Sequence, residues 1–220
     1  MEQRRIFLTG ATGYLGSRLI PLLRARGHVV RALIRPESAS KLSREIETVV
    51  GNPLDASTFS NQVLGMDTVV QLVGVPKPAP WKGDQFRRVD GPSALASIAA
   101  AKGAKTTHFV YVSVAHPAPI MKDYIEVRRA CEAALLQAGL VATILRPWYI
   151  LGQGHWWPLA LQPAYWFMER WPSTRESARR LGLVTVDHML CAMLWAIEQP
   201  PTTTRILEVP DIRRLGRKAR

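Results

Sequence analysis

Residues Thr9 to Gly16 read Thr-Gly-Ala-Thr-Gly-Tyr-Leu-Gly, a spacing suited to holding a dinucleotide pyrophosphate. Gly10 permits a tight turn, Gly13 lets the backbone approach phosphate, and Gly16 lets a helix pack closely on a sheet. The N–H groups and dipole of that helix's first turn then face the anion. A glycine-rich turn without a ligand is the bland alternative. The flanking pattern favours binding, because an apolar run (Arg5 to Thr9) precedes the turn and an amphipathic run (Tyr14 to Arg26) follows it. The next strand ends Leu33-Ile34-Arg35-Pro36, where many NAD sites carry an acid for the ribose 2′-hydroxyl. Arg35 instead suits a 2′-phosphate and favours NADP over NAD. Glu37 nearby keeps the 2′-hydroxyl alternative open.

The elements that must position this turn alternate along the chain. Further strands are expected at His28 to Ile34, Thr48 to Val50, Thr68 to Val73, Phe109 to Ser113 and Leu140 to Leu145. Helices are expected at Ala56 to Leu64, Asp84 to Ala101 and Tyr124 to Ala138, with Gly27 closing the first helix. Apolar strands alternating with helices predict an α/β fold, a Rossmann-type doubly wound parallel sheet. The expectation is one NAD(P)-binding domain over residues 1–220. Residues 1–146 form its cofactor-binding core, and 147–220 form a small C-terminal elaboration on the substrate side. In that elaboration a helix is expected at Thr185 to Glu198 and a strand at Arg205 to Val209.

Taken in order, these segments resemble the extended and atypical short-chain dehydrogenase/reductases, a group that includes epimerase/dehydratase-like, NAD(P)H-binding and NmrA-like proteins. The resemblance rests on the glycine turn, Gly51-Asn52-Pro53-Leu54-Asp55, Leu72-Val73-Gly74, Tyr111-Val112-Ser113 and Arg146-Pro147-Trp148-Tyr149-Ile150-Leu151-Gly152. Val184-Thr185-Val186-Asp187-His188 is similar to a late segment of the same family. The resemblance implies cofactor contacts at Gly10, Thr12, Gly13, Tyr14, Leu15, Arg35, Asn52, Leu54, Val73, Gly74, Pro147 and Tyr149. It also implies a catalytic set. Family enzymes use Tyr-x-x-x-Lys on a helix, with a strand-end serine to orient the substrate carbonyl. Here the text is Tyr124-Ile125-Glu126-Val127-Arg128, so Arg128 stands in the lysine's place. Tyr124 is then the acid/base, Ser113 the carbonyl orienter and Arg128 the ribose and electrostatic partner. An arginine cannot lose its proton and presents a fork, not a point charge. Arg129 offers no substitute, since one position turns about 100° around the helix.

Composition bounds the rest. The chain has 220 residues, 47% hydrophobic and 21% charged, which excludes disordered, collagen-like and coiled-coil classes. Cys131 and Cys191 are too few for a disulfide scaffold or a cysteine-based zinc cluster, and the five histidines show no ligand spacing, so no metal is expected. No signal peptide or spanning segment is expected; the Trp156 to Trp171 stretch is broken by Pro158, Pro163, Glu169 and Arg170. A cytoplasmic location follows as the expectation. The net charge of +12 suits anionic partners in general, but no nucleic-acid motif accompanies it. The basic run Ile212 to Arg220 reads as a solvated, frayed tail. Trp148, Trp156, Trp157, Trp166 and Trp171, with His155, Tyr165, Phe167 and Met168, suit either a plain core or a roof over an apolar or aromatic substrate. Three functions remain open. One is an oxidoreductase acting on a small apolar or aromatic carbonyl or alcohol. Another is a non-catalytic NADP-binding sensor or scaffold, favoured by Arg128. The third is a binder of anionic surfaces that uses the basic charge. Substrate and oligomeric state are not legible.

Overall fold

A computed structural model describes residues 2–43, 45–153 and 180–218. Seven parallel strands form the main sheet: β1 (Arg5–Thr9), β2 (Val29–Ile34), β3 (Glu47–Val50), β4 (Thr68–Gln71), β5 (His108–Val112), β6 (Ala142–Arg146) and β9 (Arg205–Glu208). Their order is β3-β2-β1-β4-β5-β6-β9. The order reverses beside β1, so a crevice opens at the carboxyl ends of β1 and β4, where open α/β sheets bind ligands. A separate parallel pair, β7 (Tyr149–Leu151) and β8 (Leu183–Thr185), was not foreseen from periodicity. Three-residue strands carry too few alternations to register.

The inner strands are buried on both faces, which is why their sequences are almost continuously apolar. Ile6 and Leu8 of β1 join Val70, Val110 and Leu145 in one core. That core packs under α1 (Gly16–Ala25), α6 (Val186–Glu198) and α7 (Val209–Lys218). Phe7, Val69, Phe109, Tyr111 and Ile144 point the other way, into a core under α4 (Gly91–Gly103) and α5 (Lys122–Gln137). Helix α1 ends as expected at Gly27. His28 N–H donates to Leu23 O and Gly27 N–H to Arg24 O, with Gly27 at φ +80°.

Three expectations change. The helix expected over Ala56 to Leu64 is a 3-10 turn (Ala56–Thr58) followed by the single turn α2 (Ser60–Val63). The helix expected over Asp84 to Ala101 is interrupted: α3 (Gly83–Gln85) runs into a π turn (Phe86–Asp90) before α4. Pro92, in the first turn of α4, lacks the N–H that would bond one turn back, so the preceding turn widens. The basic C-terminal run is not a frayed tail through Lys218. It forms α7, which buries Val209 and Ile212 and sets Gly216 against His188 so tightly that a Cβ would collide. Arg213 Nε donates to Leu183 O at 2.7 Å and Arg214 pairs with Asp211 at 2.9 Å, so these charges are engaged. Helix α6 starts from a reciprocal cap: Thr185 Oγ1 accepts from His188 N–H, and His188 Nδ1 accepts from Thr185 N–H.

Candidate active site

The glycine turn sits at the switch point. Gly10 has φ +75°, and a Cβ there would lie 2.7 Å from the Leu72 carbonyl carbon. A Cβ on Gly16 would collide with Gly10 O, so both glycines are required by packing. Gly13 differs: it is exposed, and a Cβ would meet only Gly10 O at 3.1 Å. Its N–H donates to Gly10 O at 3.0 Å. Thr12, Tyr14 and Leu15 are half-buried around it. Arg18 lies over the Tyr14 ring and donates to Tyr14 O. The Tyr14 hydroxyl abuts Gly152, where a side chain would not fit.

The adenine-side positions lie along the same sheet edge. Arg35 and Glu37 pair at 3.1 Å, each more than half exposed. Asn52 Oδ1 accepts from Leu54 N–H at 3.0 Å, shaping a turn that leaves Leu54 exposed. Val73 N–H donates to Gln71 Oε1 at 3.1 Å. The same oxygen accepts from Thr9 Oγ1, and Gln71 Nε2 donates to Ser93 Oγ. This buried bridge joins β1, β4 and α4 beneath the crevice. Gln71 and Ser93 were missed at the sequence level, because a lone polar residue in an apolar strand carries no motif.

The catalytic candidates come from adjacent elements. Ser113 follows β5 and is buried, and its N–H donates to Leu145 O on β6 at 2.7 Å. Tyr124 lies in the first turn of α5, half-buried, with its ring 4.8 Å from that of Phe86. Desolvation pushes its phenol pKa up; Arg128 opposes that shift and Asp90 reinforces it. Arg128, one turn along, is buried. Its Nη2 donates to Asp90 Oδ1 at 2.5 Å and its Nη1 to Val112 O at 2.7 Å. Tyr111 Oη lies 3.4 Å from the same Nη1. A Cβ on Gly74 would lie 2.6 Å from Arg128 Nη2, so Gly74 admits the ion pair beneath its loop. Asp90 carries no signal in the sequence either, since it is 38 positions from its partner.

The polar atoms left over at this site fit a dinucleotide. Ser113 Oγ and Arg128 Nε are buried without a hydrogen-bond partner among the described residues. Pro147, which is buried, accepts from Ala115 N–H through its carbonyl, and Tyr149 packs edge-on to Trp148 at 5.4 Å. Arg146 is held elsewhere, between Glu132 and Glu208. A cleft of about 550 Å³ opens between His116–Ala118 and the α5 residues Lys122, Ile125, Glu126 and Arg129, and Ser113, Tyr124 and Arg128 do not line it. Trp156, Trp157, Trp166, Trp171, His155, Tyr165, Phe167 and Met168 lie outside the described residues. Among the described residues, no three His, Cys, Asp or Glu side chains are grouped to hold a metal, and no helix is long and apolar enough to cross a membrane.

A glycine turn at the switch point of a doubly wound sheet, with a serine after β5 and a tyrosine in the first turn of α5, has the form of a dinucleotide-binding site. The profile of the NAD(P)H-binding family matches residues 10–154, and the chain belongs to that family. It is 27% identical over 215 residues to the ceramide reductase of Caulobacter vibrioides, covering 96% of this chain and 66% of the relative. It is 28% identical over 170 residues to a 4-hydroxy-2-methyl-3-oxo-4-farnesyl-3,4-dihydroquinoline-1-oxide ketoreductase of Stigmatella aurantiaca, covering 67% of this chain and 51% of the relative. The chain thus spans two thirds or less of these relatives' lengths. Its fold is similar to that of the Bordetella bronchiseptica enzyme WbmH in complex with NAD+, with TM-score 0.70, 19% identity, and coverage of 94% of this chain and 76% of that one. It is also similar to UDP-N-acetylglucosamine 4-epimerase from Bacillus cereus, with TM-score 0.69, 16% identity, and coverage of 93% and 76%. At these identities the structural likeness is one of fold.

Proposed function

We propose that the chain is an NADPH-preferring reductase of an apolar carbonyl compound. The observation that carries this reading is the placement of Arg128, which donates to Val112 O next to Ser113 and stands 5.0 Å from the Tyr124 ring centre, with Ser113 Oγ buried and unpartnered among the described residues. When bound, the reduced nicotinamide supplies a hydride from C4 to the carbonyl carbon and is left oxidised. Ser113 Oγ–H donates to the carbonyl oxygen and holds it near Tyr124. The Tyr124 phenol gives its proton to that oxygen as the carbon accepts the hydride, so the product is an alcohol. The phenol is protonated at neutral pH, as its ordinary pKa of about 10 requires and desolvation reinforces, so it holds the proton that reduction needs. Arg128 Nε is available to a ribose hydroxyl. Exposed Arg35 supports a 2′-phosphate. Two relatives are named as reductases, of a ceramide and of a farnesyl-bearing quinoline, which supports a bulky apolar substrate.

The test is NADPH oxidation with a panel of apolar ketones and aldehydes. Turnover that falls about 10²–10⁴-fold in Tyr124→Phe supports the assignment. Unchanged turnover in that variant contradicts it. One observation favours a second reading, a redox sensor: the Arg128 charge is absorbed by Asp90. A sensor binds NADPH tightly, turns over nothing in the panel, and changes partner affinity with cofactor redox state.

A further inference from the structure

We propose that Asp90 is a positioning residue for the Tyr124 chemistry: by closing an ion pair with Arg128 beneath Gly74, it offsets the guanidinium charge felt by the Tyr124 hydroxyl and favours the protonated phenol. The proposal rests on the reductase reading. Asp90 is fully buried at the end of the π turn. Both of its carboxylate oxygens are engaged, Oδ1 by Arg128 Nη2 at 2.5 Å and Oδ2 by Val75 N–H at 2.9 Å. Gly74 leaves room for both partners, since a Cβ there would lie 2.6 Å from Arg128 Nη2 and 3.1 Å from Asp90 Oδ1. The Arg128 Cζ stands 5.0 Å from the Tyr124 ring centre.

An unopposed cation at that range lowers an acid's pKa by about 1–3 units. A carboxylate in contact with the cation turns the charge into a short dipole and removes most of that effect. The charged groups acting on Tyr124 are Arg128 from its own helix and Asp90 from the π turn. Phe86, packed against its ring, adds only desolvation. Arg87 and Asp123 flank these elements but pair with each other at 3.4 Å, half-exposed. Tyr111 adjoins Arg128 from β5 in the sheet, and Cys131 lies on the same helix as Arg128.

The test uses Asp90→Asn, the double variant Asp90→Asn/Arg128→Gln, and Asp90→Ser as a smaller uncharged replacement should the amide not be accommodated. The first readout is tyrosinate absorbance of the cofactor-free chain against pH, with Tyr124→Phe subtracted in each background. The second is the alkaline limb of NADPH-dependent reduction. The expected result is a Tyr124 midpoint lower by at least about one pH unit in Asp90→Asn or Asp90→Ser. The midpoint returns close to the parent value in the double variant, and the alkaline limb moves in step. An unmoved midpoint in the single variants overturns the proposal, as does a double variant shifted as far as the single. If the absorbance shifts appear and no variant turns over any carbonyl, the reductase reading fails and the electrostatic role of Asp90 stands.

Discussion

Gly16 lies against the carbonyl oxygen of Gly10 so closely that a Cβ would not fit, whereas Gly13, between them in sequence, is exposed and a Cβ there would make one tight contact, 3.1 Å to the same oxygen. The turn therefore separates into glycines that hold the backbone together and one that admits a ligand. Gly16→Ala is expected to destabilise the fold by about 1–3 kcal/mol through overpacking, read as a lowered melting temperature. Gly13→Asp is expected to lower the melting temperature less than Gly16→Ala, since its Cβ meets only Gly10 O at 3.1 Å, and to lose NADPH, because its carboxylate meets the pyrophosphate. Retained NADPH affinity in Gly13→Asp would place the cofactor elsewhere.

Arg35 and Glu37 make opposite predictions. The pair is exposed at 3.1 Å, so the guanidinium can exchange one anion for another at little cost. Arg35→Ala is expected to weaken NADPH binding about tenfold or more and to leave NADH binding unchanged. Glu37→Ala is expected to strengthen NADPH binding by freeing Arg35. Equal losses for both cofactors in Arg35→Ala would show that Arg35 does not read the 2′-phosphate.

His108 predicts a pH dependence of stability. It is fully buried on β5, with Nε2 3.0 Å from Thr143 Oγ1. Burial pushes its pKa down to about 4, and the charges of Arg4 and Arg205 add to the effect. The unfolded chain takes up this proton near pH 6.5, so between about 6.5 and 4 it binds more protons than the folded chain. The His108 contribution is therefore full above about pH 6.5 and declines by about 3 kcal/mol as pH falls to 4. Denaturant midpoints measured from pH 7 to pH 4 should fall less steeply in His108→Gln than in the parent. Identical slopes would contradict the assignment.

Arg146 stitches α5 to β9 by donating to Glu132 at 3.0 Å and Glu208 at 3.0 Å. Arg146→Met strands the buried Glu132 carboxylate and should cost about 3 kcal/mol in urea unfolding. Arg146→Met/Glu132→Leu should recover much of that loss, because no charge is left unpaired. A double variant no more stable than the single would show that the pair is not the source.

The sheet was legible because parallel strands buried on both faces write themselves as apolar runs: Ile6-Phe7-Leu8 and Thr68-Val69-Val70 need no partner to be read. The glycine turn was legible because three backbone constraints fall within seven residues. Asp90 was not, because its partner lies on another helix and the π turn that places it depends on Pro92, which periodicity alone does not weigh. The α7 helix was hidden by its arginines. Val209, Ile212 and Gly216 make a stripe too narrow to outweigh the charge beside them. Arg128 stands in the sequence where Tyr-x-x-x-Lys has its lysine, but its tie to Asp90 is visible only in three dimensions.

The central claim is tested most directly by calorimetric titration of the purified chain with NADPH and, separately, NADH at one fixed salt concentration. The account predicts saturable one-to-one binding, with NADPH tighter and the heat abolished by Gly13→Asp. Binding of neither cofactor would contradict it.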